Sequence, residues 1–146
     1  MEPHSIQTSA HGDTILAVQR AALAAVDPGA AVRRHVRCDD DLLSIGGRDY
    51  DLAGVERVWV VGGGKAATAM VAALHQIMGS RLDGGLVVTK YDHVDPGLDT
   101  GPVEVVEAGH PLPDGAGVQG TGRMADLLAS ATERDLVLAV ISLSLI

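Results

Sequence analysis

The residues with the clearest chemical potential are three glycines and a lysine in the segment VVGGGKAA, residues 60–67. Glycines between a strand and a helix allow positive φ angles and let the backbone approach a ligand closely. The helix behind such a turn directs free N–H groups and a partial positive charge to the same point, and Lys65 adds a full charge. The pattern suits a phosphate or a carboxylate, although a plain tight turn with a solvated lysine fits these residues equally well.

Known glycine motifs define three alternatives for this turn. A P-loop needs a Ser or Thr after its lysine to bind Mg²⁺, and Ala66 stands there, so a P-loop is excluded. The dinucleotide spacing GxGxxA is met by Gly62, Gly64 and Ala67. The next predicted strand ends in Lys90 and not in an acidic residue that binds a ribose, so NADP fits better than NAD. The remaining alternative is another phosphate or carboxylate site that uses the lysine of the turn directly.

Two further side chains follow predicted strands, where α/β proteins place their ligands. Lys90 ends the segment GLVVTK and could neutralise a phosphoryl group, and His110 follows VVEAG and could accept a proton or act as an electrophile. Taken singly, each is better explained as a solvated or hydrogen-bonded loop residue. Asp114 is better explained as a helix N-cap. The scattered histidines predict no metal site, and no G-x-S-x-G elbow supports a serine nucleophile.

The elements around these residues alternate regularly along the chain. We predict a flexible tail over 1–12 and one domain over 13–146, with helices over 14–26 (capped by Asp13), 28–36, 65–78 and 114–128, a hairpin over 42–52, and strands over 55–61, 86–90, 103–108 and 136–141. Continuous apolar strands are typical of buried parallel sheets. The order strand, helix, strand, strand, helix, strand predicts a doubly wound, mostly parallel, Rossmann-like α/β sheet.

The composition limits the partners of the chain. Its 146 residues carry 11 basic and 19 acidic side chains, a net charge of −8. This charge argues against nucleic acid and against an anionic membrane surface as partners. Cys38 is the only cysteine, so an internal disulfide is excluded. The absence of a signal-like or membrane-spanning run predicts a cytoplasmic location, while the oligomeric state stays unknown.

Four blocks of the sequence together resemble a known family. In order, VVGGGKAATAM, GLVVTKYDH, VVEAGHPLPDGAGVQGT and DLVLAVIS resemble the N-terminal domain of type II glycerate kinases, also called glycerate 2-kinases, which older descriptions sometimes name hydroxypyruvate reductases. The resemblance implies transfer of phosphate from ATP, with Mg²⁺, to D-glycerate, giving 2-phosphoglycerate. It implies that Lys65 is an active-site residue, that Gly62, Gly63 and Gly64 shape its pocket, and that Lys90 and His110 lie in the cleft.

The chain departs from the family pattern at two places. Asp92 stands where the family block TKYGH has a glycine, and the segment ISLSLI, residues 141–146, stands where the family continues as ISGGGSA and then into a C-terminal MOFRL domain. We therefore expect a truncated kinase that is inactive alone. The alternatives are an NADP-binding module of a hydroxypyruvate reductase, and a non-catalytic domain that binds a partner through Leu143, Leu145 and Ile146.

Overall fold

A computed structural model describes residues 11–142 of the chain. Four helices are present there: α1 (Gly12–Ala25), α2 (Pro28–His35), α3 (Ala67–Met78) and α4 (Gly115–Ala129). Seven strands accompany them: β1 (Val36–Asp39), β2 (Leu42–Ile45), β3 (Arg48–Asp51), β4 (Arg57–Gly63), β5 (Gly84–Lys90), β6 (Val103–Ala108) and β7 (Asp135–Ile141). The expectations for residues 1–10 and for the apolar end at 143–146 lie outside the described residues.

The larger sheet has four parallel strands in the order β6-β5-β4-β7. The chain leaves β4 towards β5 and β6, and α4 then returns it to the other side of β4, where β7 pairs over residues 135–141. The direction of winding thus reverses between β5 and β7, on either side of β4. This topology confirms the predicted doubly wound α/β fold.

The two faces of this sheet carry different helices. Val60 and Val87 are fully buried in one core with Val71 of α3. Alternation along β5 turns Val88 to the opposite face, where α4 approaches so closely that a Cβ on Gly120 would lie 3.1 Å from the Val88 side chain. Helices therefore pack on both faces of β5, the strand that ends at Lys90.

A smaller antiparallel sheet, β1-β2-β3, packs beside α2 and α3. The predicted hairpin is confirmed as β2 and β3, with Ile45 opposite Arg48. The sequence analysis missed β1, in which Cys38 pairs with Leu43. Leu43 is fully buried and joins the core that extends to α3, so the small sheet shares the apolar core of the large one.

The observed first residues of α1 and α3 differ from two predictions. α1 begins at Gly12 after His11, which makes no side-chain cap, so the prediction of Asp13 as the N-cap is wrong. α3 begins at Ala67 and not at residue 65, because the glycine turn continues to its N-cap at residue 66. The Asp114 cap of α4 is confirmed by a 3.0 Å hydrogen bond from the Gly117 amide.

Within residues 11–142, no single helix is long and apolar enough to cross a membrane. In the described part of the chain, α1 and α2 taken together, with a bend of 50° between them, do meet that criterion of length and composition.

Candidate functional site

A cavity of about 340 Å³ opens at the carboxyl ends of the parallel strands. All four strands of the large sheet contribute to it, either directly or through the residues that follow them. Its lining consists of Gly64, Lys65, Val88, Thr89, Lys90, Ala108, Gly109, His110 and Ser142. The cavity therefore brings together four of the six residues singled out from the sequence, at the edge where doubly wound sheets bind ligands.

The charged side chains that line this cavity are positive. Lys65 and Lys90 are the only two lysines in the sequence, and both line it. No carboxylate belongs to the lining, and neither ammonium group has a hydrogen-bond or ion-pair partner among residues 11–142. Acidic residues outnumber basic ones by eight in the sequence, yet these two lysines have no partner among residues 11–142. Two such cations in a cavity without carboxylates are suited to bind an anion.

The glycines of the turn have separate roles. Gly62 has φ 147°, and a Cβ there would lie 1.8 Å from the carbonyl oxygen of Val140 in β7. Gly64 has φ 112°, and a Cβ there would lie 2.3 Å from the carbonyl oxygen of Ser142. Of the three glycines, Gly64 belongs to the lining of the cavity, whereas Gly62 and Gly63 lie at the end of β4. The first glycine permits β7 to lie against β4.

Two amides of the turn are already bonded within the protein. The Gly64 N–H donates to the carbonyl of Val88 at 2.9 Å, and the Ala66 N–H donates to Oγ of Ser142 at 3.4 Å. These bonds leave the lysine side chains as the main source of positive charge in the cavity.

Ser142 also lines the cavity, although it was not among the site residues predicted from the sequence. Its own N–H donates to the carbonyl of Gly63 at 3.0 Å, which extends the contact between β4 and β7 beyond the end of the strands. The family resemblance places a second glycine-rich loop at this point of the chain, but only the pairing of β7 with β4 shows that Ser142 lies beside the glycine turn.

The loops after β5 and β6 are tied together at the cavity. The Tyr91 N–H donates to the carbonyl of Ala108 at 3.1 Å. Asp92, the residue that departs from the family pattern, has φ 62°. This left-handed conformation favours glycine, which agrees with the glycine that the family resemblance led us to expect there.

Asp114 connects these loops to α4. Its carboxylate accepts hydrogen bonds from the Gly117 N–H at 3.0 Å and from the Tyr91 hydroxyl at 2.8 Å. Hydrogen bonds from the backbone of Gly117 and Gly109, together with the bond from Tyr91, hold the pKa of Asp114 below its usual range. The same carboxylate raises the pKa of the Tyr91 hydroxyl above its usual value. The hydrogen bond between these side chains thus joins a charged carboxylate to a neutral phenol.

The described residues also define what metal chemistry the site offers. Among residues 11–142, no three His, Cys, Asp or Glu side chains come together as a metal-binding group. Mg²⁺ is usually held by one or two carboxylates together with substrate phosphates and water. Since the lining has no carboxylate, it fits an anionic ligand and not a metal held by protein ligands.

The chain matches one protein family over nearly its whole length. The model of the family described as "Domain of unknown function (DUF4147)" matches residues 14–143. A protein of Pyrococcus horikoshii named "Glycerate 2-kinase" is 35% identical over 121 residues, which cover 83% of this chain and 26% of that protein. A protein of Agrobacterium vitis named "Putative hydroxypyruvate reductase" is 38% identical over 86 residues, 59% of this chain and 22% of that protein.

Solved structures show the same relationship. A crystal structure of a protein from Pyrococcus horikoshii superimposes with a TM-score of 0.73 at 30% identity, over 95% of this chain and 28% of that one. The crystal structure of a glycerate kinase from Thermotoga maritima gives a TM-score of 0.61 at 31% identity, over 82% of this chain and 25% of that one. The chain thus spans about a quarter of the length of the relatives it matches.

Proposed function

The chain belongs to the DUF4147 family, and from this premise we propose that its cavity is part of the active site of a glycerate 2-kinase. The reaction is transfer of the γ-phosphoryl group of ATP to the C2 hydroxyl of D-glycerate, which gives 2-phosphoglycerate and ADP. Relatives named as glycerate 2-kinases support the reaction class. Both substrates and both products are anions, which matches the charge of the cavity.

One observation carries the proposal: both lysines of an acidic chain line the same acid-free cavity without partners among the described residues. Two adjacent ammonium groups repel each other, and an anion between them removes that repulsion. The main structural alternative, lysines solvated at unrelated places on the surface, does not explain why Lys65 and Lys90 meet at the carboxyl edge of the sheet.

We assign roles according to position in the cavity. Lys65 lies in the turn before α3, where the positive end of the helix adds to its charge, so it binds the carboxylate or the transferring phosphoryl group and stabilises the charge that develops there. Lys90 binds the same ligand from the end of β5. His110 faces the cavity from the loop after β6 and can hold the proton of the attacking hydroxyl. Gly64 lets the backbone reach the ligand.

ATP supplies the phosphoryl group, and Mg²⁺ enters the proposal only with the nucleotide. We assign no residue of this chain to Mg²⁺, because its described residues provide no carboxylate at the cavity. The matched region is about a quarter of each relative, so we propose that the 146-residue chain binds anions but does not turn over ATP and D-glycerate by itself.

A second candidate is binding of NADP, as the names of some relatives suggest. The spacing of Gly62, Gly64 and Ala67 favours it, and Lys90 at the end of β5 could bind a 2′-phosphate. Against it, the amides of Gly64 and Ala66, which a pyrophosphate would need at the turn, are bonded to Val88 and Ser142.

Isothermal titration of the full chain with ATP, D-glycerate and NADPH tests these proposals. We expect binding of ATP and D-glycerate that weakens about tenfold or more in Lys65→Ala, the factor that corresponds to losing one charged contact. Arg48→Ala is the matched control, because it removes an exposed positive charge from the small sheet. Equal weakening in both variants would reduce the effect to net charge, and tight binding of NADPH alone would favour the second candidate.

A further inference from the structure

The carboxylate of Asp114 accepts more hydrogen bonds than a helix N-cap requires. An N-cap carboxylate is satisfied by amides of the first helical turn, and Gly117 supplies such an amide at 3.0 Å. The Tyr91 hydroxyl, 2.8 Å away, belongs to the loop after β5. Gly109, in the loop after β6, packs against the same carboxylate, since a Cβ there would lie 3.2 Å from Oδ2 of Asp114. The carboxylate therefore joins three separate segments of the chain.

Each of these loop contacts is next to a cationic or titratable residue of the cavity. Tyr91 directly follows Lys90, and Gly109 directly precedes His110. The approach at Gly109 is close, since a Cβ there would lie 3.1 Å from Cγ of Asp114. The carboxylate thus contacts the chain neighbours of both cavity residues.

We propose that Asp114 and Tyr91 are positioning residues, a brace that sets the separation between Lys90 and His110 in the anion cavity. The brace acts through the backbone and touches no ligand. It acts on the same cavity as the proposed kinase, but it is a property of the ligand-free chain and can be tested without any substrate.

The electrostatics of the brace keep it intact over a wide range of pH. Hydrogen bonding lowers the pKa of Asp114 and raises the pKa of Tyr91, so the carboxylate stays charged and the phenol stays protonated near neutral pH. Glu107 is the other acidic group whose charge raises the pKa of Tyr91, which also favours the neutral, donating phenol.

Two variants separate the brace from the helix cap. Asp114→Ser keeps a good N-cap, but its short hydroxyl cannot reach the Tyr91 hydroxyl. Tyr91→Phe removes only that hydroxyl. The matched controls are Asp27→Ser, at the cap of α2 where the carboxylate accepts from Ala30 N at 2.6 Å, and Tyr50→Phe in the small sheet.

The readout is NMR of the full chain without ligand. In both brace variants we expect the ring Cε1–H signal of His110 to move, and exchange of the Tyr91 amide hydrogen to accelerate about tenfold or more, as expected when a restraining hydrogen bond is lost. The two controls should leave these signals unchanged. In the Tyr50→Phe variant, tyrosinate absorbance reports on Tyr91 alone, because the sequence has two tyrosines. Adding Asp114→Ser to this variant should lower the pH at the midpoint of the Tyr91 titration.

The brace is refuted if Tyr91→Phe leaves the His110 signal and the amide exchange as they are in the native chain. It is equally refuted if Asp27→Ser changes them as much as Asp114→Ser does, because a general loss of helix capping would then explain both. Absence of ATP or D-glycerate binding would contradict the kinase proposal and would leave this result unaffected.

Discussion

Replacement of Gly62 by alanine tests whether the absence of a side chain at this position allows β7 to lie against β4. The Cβ of Gly62→Ala would lie 1.8 Å from the Val140 carbonyl oxygen and 2.8 Å from the carbon of that carbonyl. Both contacts are with backbone, so no side chain can rotate away. The two strands must separate or the residue must leave its φ of 147°.

The expected cost has two parts. Forcing an extra methyl group into a packed region costs about 1–3 kcal/mol, and a strained backbone conformation costs a further ~1–3 kcal/mol. We therefore expect the free energy of unfolding to fall by about 2–6 kcal/mol, a large part of the ~5–15 kcal/mol that stabilises a typical domain.

Urea unfolding measured by circular dichroism gives the result, with Gly122→Ala as the matched control. Nothing lies within 4 Å of a Cβ on Gly122 in α4, so this change should stabilise the chain by up to ~1 kcal/mol through helix propensity. A loss of less than about 1 kcal/mol in Gly62→Ala would refute the close contact with β7, and similar changes in both variants would refute the site-specific reasoning.

Three further outcomes follow from packing, charge and backbone conformation. Leu43→Ala, at a fully buried position, should cost about 2–5 kcal/mol in urea unfolding, against less than ~1 kcal/mol for the half-exposed Leu42→Ala; equal costs would contradict the assigned core. Hydrogen bonds from Arg57 at 2.6 and 2.9 Å lower the pKa of Asp135 from 3.8 to about 2, so the stability that this pair contributes is complete above pH 4 and is lost as the pH falls through 2. Between pH 5 and pH 3, the free energy of unfolding should therefore fall more in the native chain than in Asp135→Asn, and equal decreases would exclude the pairing. Asp92→Gly should stabilise the chain by about 0.5–1 kcal/mol, because it relieves a left-handed residue; a decrease in thermal stability would contradict this reasoning.

Local patterns were sufficient to predict most of the large sheet. Its strands are continuous apolar runs punctuated by glycines, and its helices have apolar stripes, so the alternation is visible without tertiary information. The cap at Asp114 was predictable for the same reason, because the capping contact with Gly117 spans only three residues. Local prediction failed at β1, because the alternation in VRCD spans only four residues and follows a helix directly, so that pairing with β2 is needed to identify the strand.

The cavity was predictable in part. The sequence places Lys65, Lys90 and His110 after separate strands, and parallel packing brings strand ends to one edge. It does not show that Ser142 meets the turn, because that contact depends on the register of β4 with β7. The sequence indicates a ligand role for Gly62 from its place in the turn and from the family resemblance, but it does not show that a Cβ at this position would meet the Val140 carbonyl.

The central claim is that Lys65 and Lys90 bind one anion together, and the composition of the chain allows a direct measurement. Reductive methylation with ¹³C labels only these two lysines and the N-terminal amine, so NMR reports on both site residues without background. Titration with ATP or D-glycerate should shift both lysine signals along one saturating curve, with Lys90→Arg assigning the peaks. Lysine signals that stay in place, or that shift at two unrelated ligand concentrations, would contradict a shared anion site in this cavity.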